Sequence, residues 1–468
     1  MINSLLNSHT IAAISTPPGN GGIGIIRISG PDSFDIGINL FKLKSKNNYT
    51  KLNKDKLKYR YLYYGVIHDS ENNINIDEVL IVFMKSPNSY TAEDVVEIQS
   101  HSGKFVLDKI LSLVLNFKAV PAEPGEFTKR AFLNGRIDLT EAEAVMDIIK
   151  SSSEASHKIA RSLSSGDLKN KILIIRDKFV EIEALITALV DFPDDIEDNF
   201  DRFVFFESLN EIKEVVSTLI FNYDNSHQVR DGYKIAIAGP PNAGKSSLLN
   251  RLISKERAIV TSIPGTTRDI IEESLNLDGF PFVVSDTAGI RETDNEIEKI
   301  GVSRSLDLLK NSDLIIFLVD GSKSFDFQNN DLFNEIKKFP YIFVVNKTDL
   351  FSSNVSRETF LFNDNNPVFI SASKNTGIDE LKKNIIEYFK KNFTSTESYI
   401  VPNKRQFHIL KKIKINIDTI LNLSDDSFEI ELISYDLNNC IKLCSELIGE
   451  TVSPDILDKV FGDFCIGK

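Results

Sequence analysis

The sequence predicts a multidomain protein in which an α+β N-terminal domain precedes an all-α helical domain, and an α/β domain with a phosphate-binding loop is inserted into the helical one. Residues 1–137 mix short apolar strands with one helix and glycine-rich turns, as α+β domains do. Residues 138–228 and 393–468 place apolar side chains three and four positions apart, the period of a helix. Residues 229–392 alternate strands with helices, which indicates a parallel sheet.

Helices therefore flank the α/β segment on both sides. Insertion into an exposed loop is tolerated because the termini of a domain often lie close together. One interrupted helical domain is the simpler interpretation, and two unrelated helical segments are the alternative. The acidic stretch Asp191–Asp198 invites interpretation as a metal site, but a charged loop or helix start is preferred.

Composition and charge exclude several classes of protein. At 468 residues the chain is too long for one core, and its net charge of −13 argues against bulk binding of nucleic acid. An RNA substrate would need a local basic patch or a partner protein. No apolar run approaches the roughly 20 residues of a membrane span, and the N-terminus lacks the pattern of a secretory signal. The three cysteines form no disulfide framework, so a cytoplasmic protein is expected.

The segment Gly239–Ser246 is the most informative motif, because it matches G-x-x-x-x-G-K-[ST] between a predicted strand and a predicted helix. A glycine turn that opens a helix directs free N–H groups and the positive end of the helix dipole at an anion. Lys245 would reach the outer phosphates of a nucleotide, and the Ser246 hydroxyl would bind Mg²⁺.

Two further motifs at strand ends concern the metal ion. Asp286–Gly289 follows a predicted strand, so Asp286 would hold Mg²⁺ through water and Gly289 would sense the γ-phosphate. Between these motifs, Gly265–Asp269 offers the Thr267 hydroxyl for the same ion. Asp-x-x-Gly alone is most often only a turn.

The base would be read by two later motifs. Asn346–Asp349 ends a predicted strand, and its last carboxylate can accept hydrogen bonds from the guanine N1–H and amine, which adenine does not offer. Ser371–Ser373 follows the next strand and would back the base with main-chain N–H groups. Four motifs in this order, each at a strand end, predict a GTPase.

One group expected in Ras-like enzymes is missing. The position after Asp-x-x-Gly is Ile290, which cannot orient the attacking water as a glutamine does. Four acidic residues follow, and one of them could act through water, or the segment is simply a solvated acidic loop: these are Glu292, Asp294, Glu296 and Glu298.

Three signatures resemble the MnmE (TrmE) family of tRNA modification GTPases. They are the opening segment 17–30, the long segment Pro124–Leu139 and the last four residues, Cys465-Ile466-Gly467-Lys468. The resemblance extends from end to end. It implies a folate-binding N-terminal domain that dimerises (1–137), a helical domain in two parts (138–228 and 393–468) and an inserted Ras-like P-loop G domain (229–392).

The resemblance also implies that GTP hydrolysis is activated by pairing of two G domains across K⁺, with Glu298 acting through bridging waters. The residues it implies for K⁺ are Asn242, Thr261, Ile263 and Thr266. Those for Mg²⁺ are Ser246, Thr267 and, through water, Asp286. The catalytic candidates are Glu298, Asn242, Lys245 and Cys465. The GTP-binding candidates are Asn242, Ala243, Gly244, Lys245, Ser246, Ser247, Thr261, Ser262, Ile263, Pro264, Gly265, Thr266, Thr267, Asp286, Thr287, Ala288, Gly289, Asn346, Lys347, Asp349, Ser371, Ala372 and Ser373.

For a folate, 5,10-methylene- or 5-formyl-tetrahydrofolate, the resemblance implies binding by Arg27, Glu97, Arg136 and Lys468. Cations suit the glutamyl carboxylates, and a carboxylate suits the N–H edge of the pterin. Arg136 stands where many family members have lysine, which keeps the charge but changes the geometry. Read singly, Arg27 and Glu97 could be ordinary surface charges. Cys465 could act as a nucleophile or acid at the one-carbon unit, although a cysteine near a terminus is more often inert.

The function implied is that of a GTP-hydrolysing subunit which, with the FAD-dependent partner MnmG (GidA), adds a (carboxymethyl)aminomethyl group to the 5-position of wobble uridine in certain tRNAs. An Era-like ribosome-assembly GTPase that binds rRNA is the alternative, and it predicts a KH-type RNA-binding domain after the G domain. A folate-binding scaffold with a vestigial GTPase is a third possibility, but intact Lys245, Asp286 and Asp349 argue against it.

Overall fold

The computed structural model describes residues 9–17, 19, 21–45, 48–151, 153–191, 201–253, 272–278, 280–286, 309–327, 330–351, 357–361, 366–392, 400–423 and 429–468. The chain divides into two compact units, Met1–Met146 with Cys444–Lys468, and Asp147–Leu443. Among the described helices, none combines the length and the apolar character that crossing a bilayer requires.

The N-terminal domain is built on an eight-stranded sheet with the strand order β4-β3-β5-β6-β7-β2-β1-β8. All neighbours are antiparallel except β1 and β8. Its elements are β1 (Thr10–Ile14), β2 (Ile23–Ser29), α1 (Ser33–Leu40), β3 (Phe41–Ser45), β4 (Asn48–Lys51), β5 (Tyr63–Asp69), β6 (Ile74–Met84), β7 (Val95–His101), α2 (Lys104–Asn116), β8 (Ala119–Pro121) and α3 (Glu126–Leu133).

The alternation of side chains along β2 gives this sheet two different faces. Ile26 and Ile28 belong to the main core, which also contains buried residues of α1 and α2. Arg27 lies between them in sequence and therefore belongs to the opposite face. A smaller cluster there contains Ile11, Ala13 and Phe127 of α3. The α3 side of the sheet thus carries polar side chains next to a small apolar cluster.

The end of the chain belongs to the same unit. Helix α13 (Pro454–Gly462) contacts α3, where the Lys129 Nζ lies 2.7 Å from the Asp458 Oδ1 and the rings of Phe132 and Phe461 are 6.3 Å apart. Residue Ile466 forms an antiparallel bridge with Pro124.

Outside the α/β segment, the described residues after α3 form, besides α13, the helices α4 (Leu139–Lys150), α5 (Glu154–Ser164), α6 (Asp167–Asp191), α7 (Arg202–Asp231), α11 (Lys404–Leu421) and α12 (Ile430–Ile448). Helices α7 and α11 stand on opposite sides of the α/β segment in sequence, yet they pack together. The rings of Tyr223 and Phe407 stack with centroids 4.0 Å apart, and the Lys213 Nζ lies 2.7 Å from the Asp418 Oδ1. The helices before and after the α/β segment therefore pack against each other, as one interrupted helical domain requires.

The inserted domain has a six-stranded sheet with the order β10-β11-β9-β12-β13-β14, parallel except for β10 against β11. Its elements are β9 (Tyr233–Ala238), α8 (Lys245–Ile253), β10 (Glu272–Leu277), β11 (Phe280–Asp286), β12 (Leu314–Asp320), α9 (Asp331–Ile336), β13 (Tyr341–Asn346), β14 (Val368–Phe369) and α10 (Ile378–Asn392). Ligands of open parallel sheets bind beyond the carboxyl ends of the strands, where β9 and β13 lead into the predicted motifs. The predicted fold class is confirmed.

Candidate functional site

The loop between β9 and α8 has the backbone conformation that its glycines predict. Gly239, Asn242 and Gly244 all have positive φ, at 151°, 63° and 97°. Side chains are strongly disfavoured at the two glycines, because a Cβ on Gly239 would overlap the carbonyl oxygen of Leu318. Asn242 tolerates the left-handed region better than most residues, and its side chain is exposed at the tip of the loop.

Helix α8 begins directly at Lys245, so its free N–H groups face the concavity of the loop. The Lys245 Nζ donates to the carbonyl oxygens of Gly239 and Pro240, at 2.9 and 3.0 Å. The ammonium group is thus held over the loop. Ser246 and Ser247 occupy the exposed first turn of the helix.

Asn346 braces the two ends of the nucleotide site. Its side chain is buried, the Nδ2 donates to the Ala243 carbonyl at 2.8 Å, and the Oδ1 accepts from the Ala372 N–H at 3.0 Å. One amide therefore links the phosphate loop to the Ser371–Ser373 segment.

Asp349 lies beside this brace with its carboxylate exposed. The Ser371 Oγ donates to one of its oxygens at 2.5 Å and the Ser373 Oγ to the other at 3.4 Å. The Ser371 hydrogen bond is the main reason that the pKa of Asp349 lies below its usual value. The Lys347 Nζ pairs with the Asp320 Oδ2 at 2.6 Å, which fixes the backbone between Asn346 and Asp349. The carboxylate is ionised and oriented, as an acceptor for a base should be.

Several predicted nucleotide-site residues lie outside the described part of the chain. Asp286 ends β11 as predicted, and only its backbone is described. Those outside are Thr261, Ser262, Ile263, Pro264, Gly265, Thr266, Thr267, Thr287, Ala288, Gly289, Ile290, Glu292, Asp294, Glu296 and Glu298. The acidic stretch after Asp191 also lies there.

A second cluster of predicted residues lies on the α3 side of the N-terminal sheet. Arg27 of β2 and Glu97 of β7 are directly opposite in the strand register, and the Arg27 Nε lies 2.8 Å from the Glu97 Oε1. Both side chains are largely buried, with 16% and 18% of their surface exposed. An ion pair this shielded is poorly screened by salt.

Tyr90 joins both arginines of the cluster. The Arg27 guanidinium carbon lies 5.2 Å from the centre of the Tyr90 ring, and that of Arg136 lies 5.0 Å from it. Arg136 also donates to the Tyr90 carbonyl oxygen, and the Tyr90 hydroxyl pairs with the Thr128 Oγ1 at 2.9 Å. The Arg27 guanidinium carbon also lies 5.6 Å from the centre of the Phe127 ring. The ring therefore positions two cations that are 109 residues apart in sequence.

The last four residues complete the cluster. The Phe127 N–H donates to the Lys468 carbonyl at 3.1 Å, and the Arg27 Nη1 lies 3.5 Å from the Gly467 carbonyl. Burial lowers the pKa of the Lys468 ammonium, and the nearby Arg27 adds to this, whereas Cys465 and Glu97 act in the opposite direction. The structure thus brings together all four predicted folate residues and Cys465.

Sequence reasoning missed Tyr90, and Thr128 with it. Tyr90 follows a polar turn, Pro87-Asn88-Ser89, and carries no motif that marks it. Nothing local reveals that two distant arginines will face one ring. Among the described residues, no group of three or more His, Cys, Asp or Glu side chains could hold a metal ion.

Comparison with known proteins agrees with this architecture. The family model described as "GTP-binding protein TrmE N-terminus" matches residues 10–136, and the model described as "MnmE helical domain" matches residues 139–465. The protein named tRNA modification GTPase MnmE from Natranaerobius thermophilus is 41% identical over 465 residues, which cover 99% of this chain and 100% of that protein. The protein of the same name from Clostridioides difficile (strain 630) is 41% identical over 461 residues, 98% of this chain and 99% of that one.

Among solved structures, the G domain of the T. maritima FeoB iron transporter is 28% identical and covers 33% of this chain and 98% of that chain. Its TM-score of 0.26 is too low to support an argument. The full-length identity and the two family models carry the assignment. The chain belongs to the MnmE family of tRNA modification GTPases.

Proposed function

We propose that this GTPase acts with the FAD-dependent partner MnmG (GidA) to add a (carboxymethyl)aminomethyl group to the 5-position of wobble uridine in certain tRNAs, in the cytoplasm. The observation that carries the proposal is the cluster around Tyr90, where Arg27, Glu97, Arg136 and Lys468 meet although they come from four distant parts of the chain. None of these four residues belongs to the nucleotide loop Gly239–Ser246. The protein would therefore carry two separate sites, one for GTP and one for the folate.

The chemistry of the cluster suits a folate. Two arginines and a lysine can hold the glutamyl carboxylates, and arginine does so through paired hydrogen bonds. Glu97 can accept from the N–H edge of the pterin, and the rings of Tyr90 and Phe127 offer flat apolar surface. A bound 5,10-methylene-tetrahydrofolate would supply the one-carbon unit. Cys465, next to Lys468, is the proposed nucleophile or acid at that unit.

In the G domain, Lys245 would hold the outer phosphates, and Ser246, Thr267 and Asp286 would hold Mg²⁺, which supplies positive charge at the phosphates. Asp349 selects guanine, because only guanine offers two donors to its oriented carboxylate. The remaining nucleotide contacts are those of the predicted set, with Asn346 as the brace.

Activation by pairing of two G domains is proposed to depend on K⁺. Asn242 is exposed at the tip of the loop, where a side-chain oxygen can reach an ion in front of the phosphates. The further ligands would be Thr261, Ile263 and Thr266, and Glu298 would act on water. A K⁺ held by these residues would supply positive charge in front of the phosphates, as an arginine finger does elsewhere. The protein is also proposed to form a homodimer through its N-terminal domain.

The rRNA-binding alternative is not better supported. It requires an RNA-binding domain after the G domain, whereas the helical-domain model matches through residue 465 and the described residues from 404 onward form helices until the terminal motif.

Two experiments test the proposal. Mass spectrometry of tRNA nucleosides from a deletion strain should show loss of the wobble-uridine modification, and an unchanged nucleoside profile would reject the proposed reaction. GTP turnover should fall when Na⁺ replaces K⁺ at equal ionic strength. Turnover indifferent to that exchange would reject the role of Asn242.

A further inference from the structure

One segment departs sharply from the acidic character of the chain. Residues 41–64 contain seven lysines and one arginine against a single aspartate, a formal charge of +7 in a protein of net charge −13. The same 24 residues hold five of the twelve tyrosines. We call the described part of this segment, together with Lys85, the basic–aromatic surface. Alternating cations and aromatic rings are the composition of surfaces that bind nucleic acids.

These side chains face solvent. Lys51, Lys54, Lys56, Lys58 and Arg60 are all exposed. Tyr59, Tyr61 and Tyr64 are 45%, 52% and 45% exposed, although tyrosine rings of this size are usually covered more completely. Other side chains of the segment fill the core beneath: Phe41, Leu52 and Tyr63 are buried there, and Leu43 and Leu57 pack against them.

The cations and the rings lie next to one another in pairs. The Lys44 Nζ is 5.1 Å from the centre of the Tyr64 ring, and the Lys58 Nζ is 5.7 Å from that of Tyr61. The Lys85 Nζ is 5.4 Å from the centre of the Tyr59 ring. Lys44 is already paired with Glu78, whereas a phosphate on Lys58 or Lys85 would bring the attached nucleoside within reach of a ring.

Little of this charge is neutralised locally. Lys44 pairs with Glu78 and Lys54 with Asp35, each at 2.5 Å. Within the part of the chain that the structure describes, Lys51, Lys56 and Lys58 form no ion pair with a carboxylate. A positive surface that persists on an acidic protein repels a second copy of itself, so it does not suit a symmetric contact between two chains.

We propose that the basic–aromatic surface binds the RNA substrate, with its lysines on phosphates and its tyrosine rings stacked on unpaired bases. This inference rests on the proposed function, which makes a tRNA the substrate. It identifies the local basic patch that a protein of this net charge needs in order to bind RNA.

The test measures binding of the full-length protein to an unmodified tRNA transcript with uridine at the wobble position, by fluorescence anisotropy over a series of salt concentrations. The triple variant Lys51→Gln, Lys56→Gln and Lys58→Gln removes up to three phosphate contacts. The plot of log affinity against log salt should become less steep by about 2, since each contact contributes about 0.7–0.9. The matched control removes three exposed lysines elsewhere: Lys158→Gln, Lys338→Gln and Lys383→Gln. It should leave the slope unchanged.

A second variant separates stacking from charge. Tyr59→Leu with Tyr61→Leu should weaken binding at least about fivefold, the effect of one lost stacked base, while the salt slope stays the same. Tyr435→Leu replaces a tyrosine that is 65% exposed on helix α12 and serves as its control. GTP hydrolysis and the melting temperature should be those of the wild type in all variants.

The proposal is overturned if the lysine variant keeps the wild-type salt slope and the tyrosine variant keeps the wild-type affinity for tRNA. It is also overturned if modification is lost in cells with unchanged tRNA affinity, which would point to an acidic protein partner. These outcomes leave the proposed function standing if the wild-type protein binds tRNA and its deletion abolishes the modification. The proposed function itself fails if deletion leaves wobble uridine unchanged.

Discussion

Replacing Gly467 by alanine should detach the terminal four residues from the N-terminal domain without affecting the G domain. Gly467 has φ of 90°, and a Cβ there would overlap the carbonyl oxygen of Ile14 and lie 2.8 Å from the Ser15 Cα. Both obstacles are backbone atoms of the strand β1 end, so a side-chain rotation cannot relieve the overlap.

The size of the effect follows from two terms. A non-glycine residue in the left-handed region costs about 1–2 kcal/mol before any overlap is counted. Docking rests on few polar contacts, among them the Gly125 N–H to the Cys465 carbonyl at 3.4 Å and the Phe127 N–H to the Lys468 carbonyl at 3.1 Å. Each such bond contributes about 1 kcal/mol net. The strain alone therefore matches the contribution of these bonds and shifts the docking equilibrium by about 5- to 30-fold.

Isothermal titration calorimetry with 5-formyl-tetrahydrofolate measures this shift, because affinity falls with the fraction of docked protein. The control is Gly462→Ala, at a glycine whose Cβ would meet no atom within 4 Å. Gly467→Ala should weaken folate binding, by up to the shift of about 5- to 30-fold in the docking equilibrium where the undocked form becomes the majority, while GTP hydrolysis stays at the wild-type rate, and Gly462→Ala should change neither. Equal folate affinity for the wild type and Gly467→Ala would mean that the terminal residues do not form part of the folate site.

Three further predictions concern single side chains of the two sites. Asp349→Asn should invert the preference for GTP over xanthosine triphosphate, because the asparagine amide pairs with the one donor and one acceptor that xanthine offers. The ratio of kcat/KM for the two nucleotides measures this preference, and a retained preference for GTP would contradict the assignment of the base site. Asn346→Ala removes both bracing hydrogen bonds and leaves the Ala243 carbonyl and the Ala372 N–H without this partner, which costs about 2–3 kcal/mol. Titration with a fluorescent GDP analogue should therefore show that nucleotide affinity falls by more than about tenfold. Tyr90→Leu should weaken folate binding several-fold while Tyr90→Phe, which keeps the ring under both arginines, retains most of it; equal affinities for the two variants would argue that the ring does not position the cations.

The G domain was predictable because its motifs are local. A strand, a glycine turn and a helix start lie within about twenty residues of one another, so Gly239, Gly244 and Lys245 could be placed from the sequence. The facing pair Arg27 and Glu97 follows from alternation along strands once the two strands are known to pair.

The assembly of the second site could not be derived in this way. Docking of the terminal motif joins residues more than 400 positions apart, and it depends on the fit of Gly467 against the end of β1. The family resemblance named Lys468, but no local pattern indicates its partners. Tyr90 was missed because its role lies in the two guanidinium groups that face it. The basic segment 41–64 was hidden by the net charge, which averages over the whole chain.

We propose that this chain joins a GTPase to a folate site formed by its own last residues, and that both are needed to modify tRNA. Nucleoside mass spectrometry of a deletion strain complemented with four versions of the protein measures whether both sites are needed. The wild type and Gly462→Ala should restore the modified wobble uridine, whereas Lys245→Ala and Gly467→Ala should not restore it to the wild-type level. Full restoration by either of the last two variants would contradict the claim.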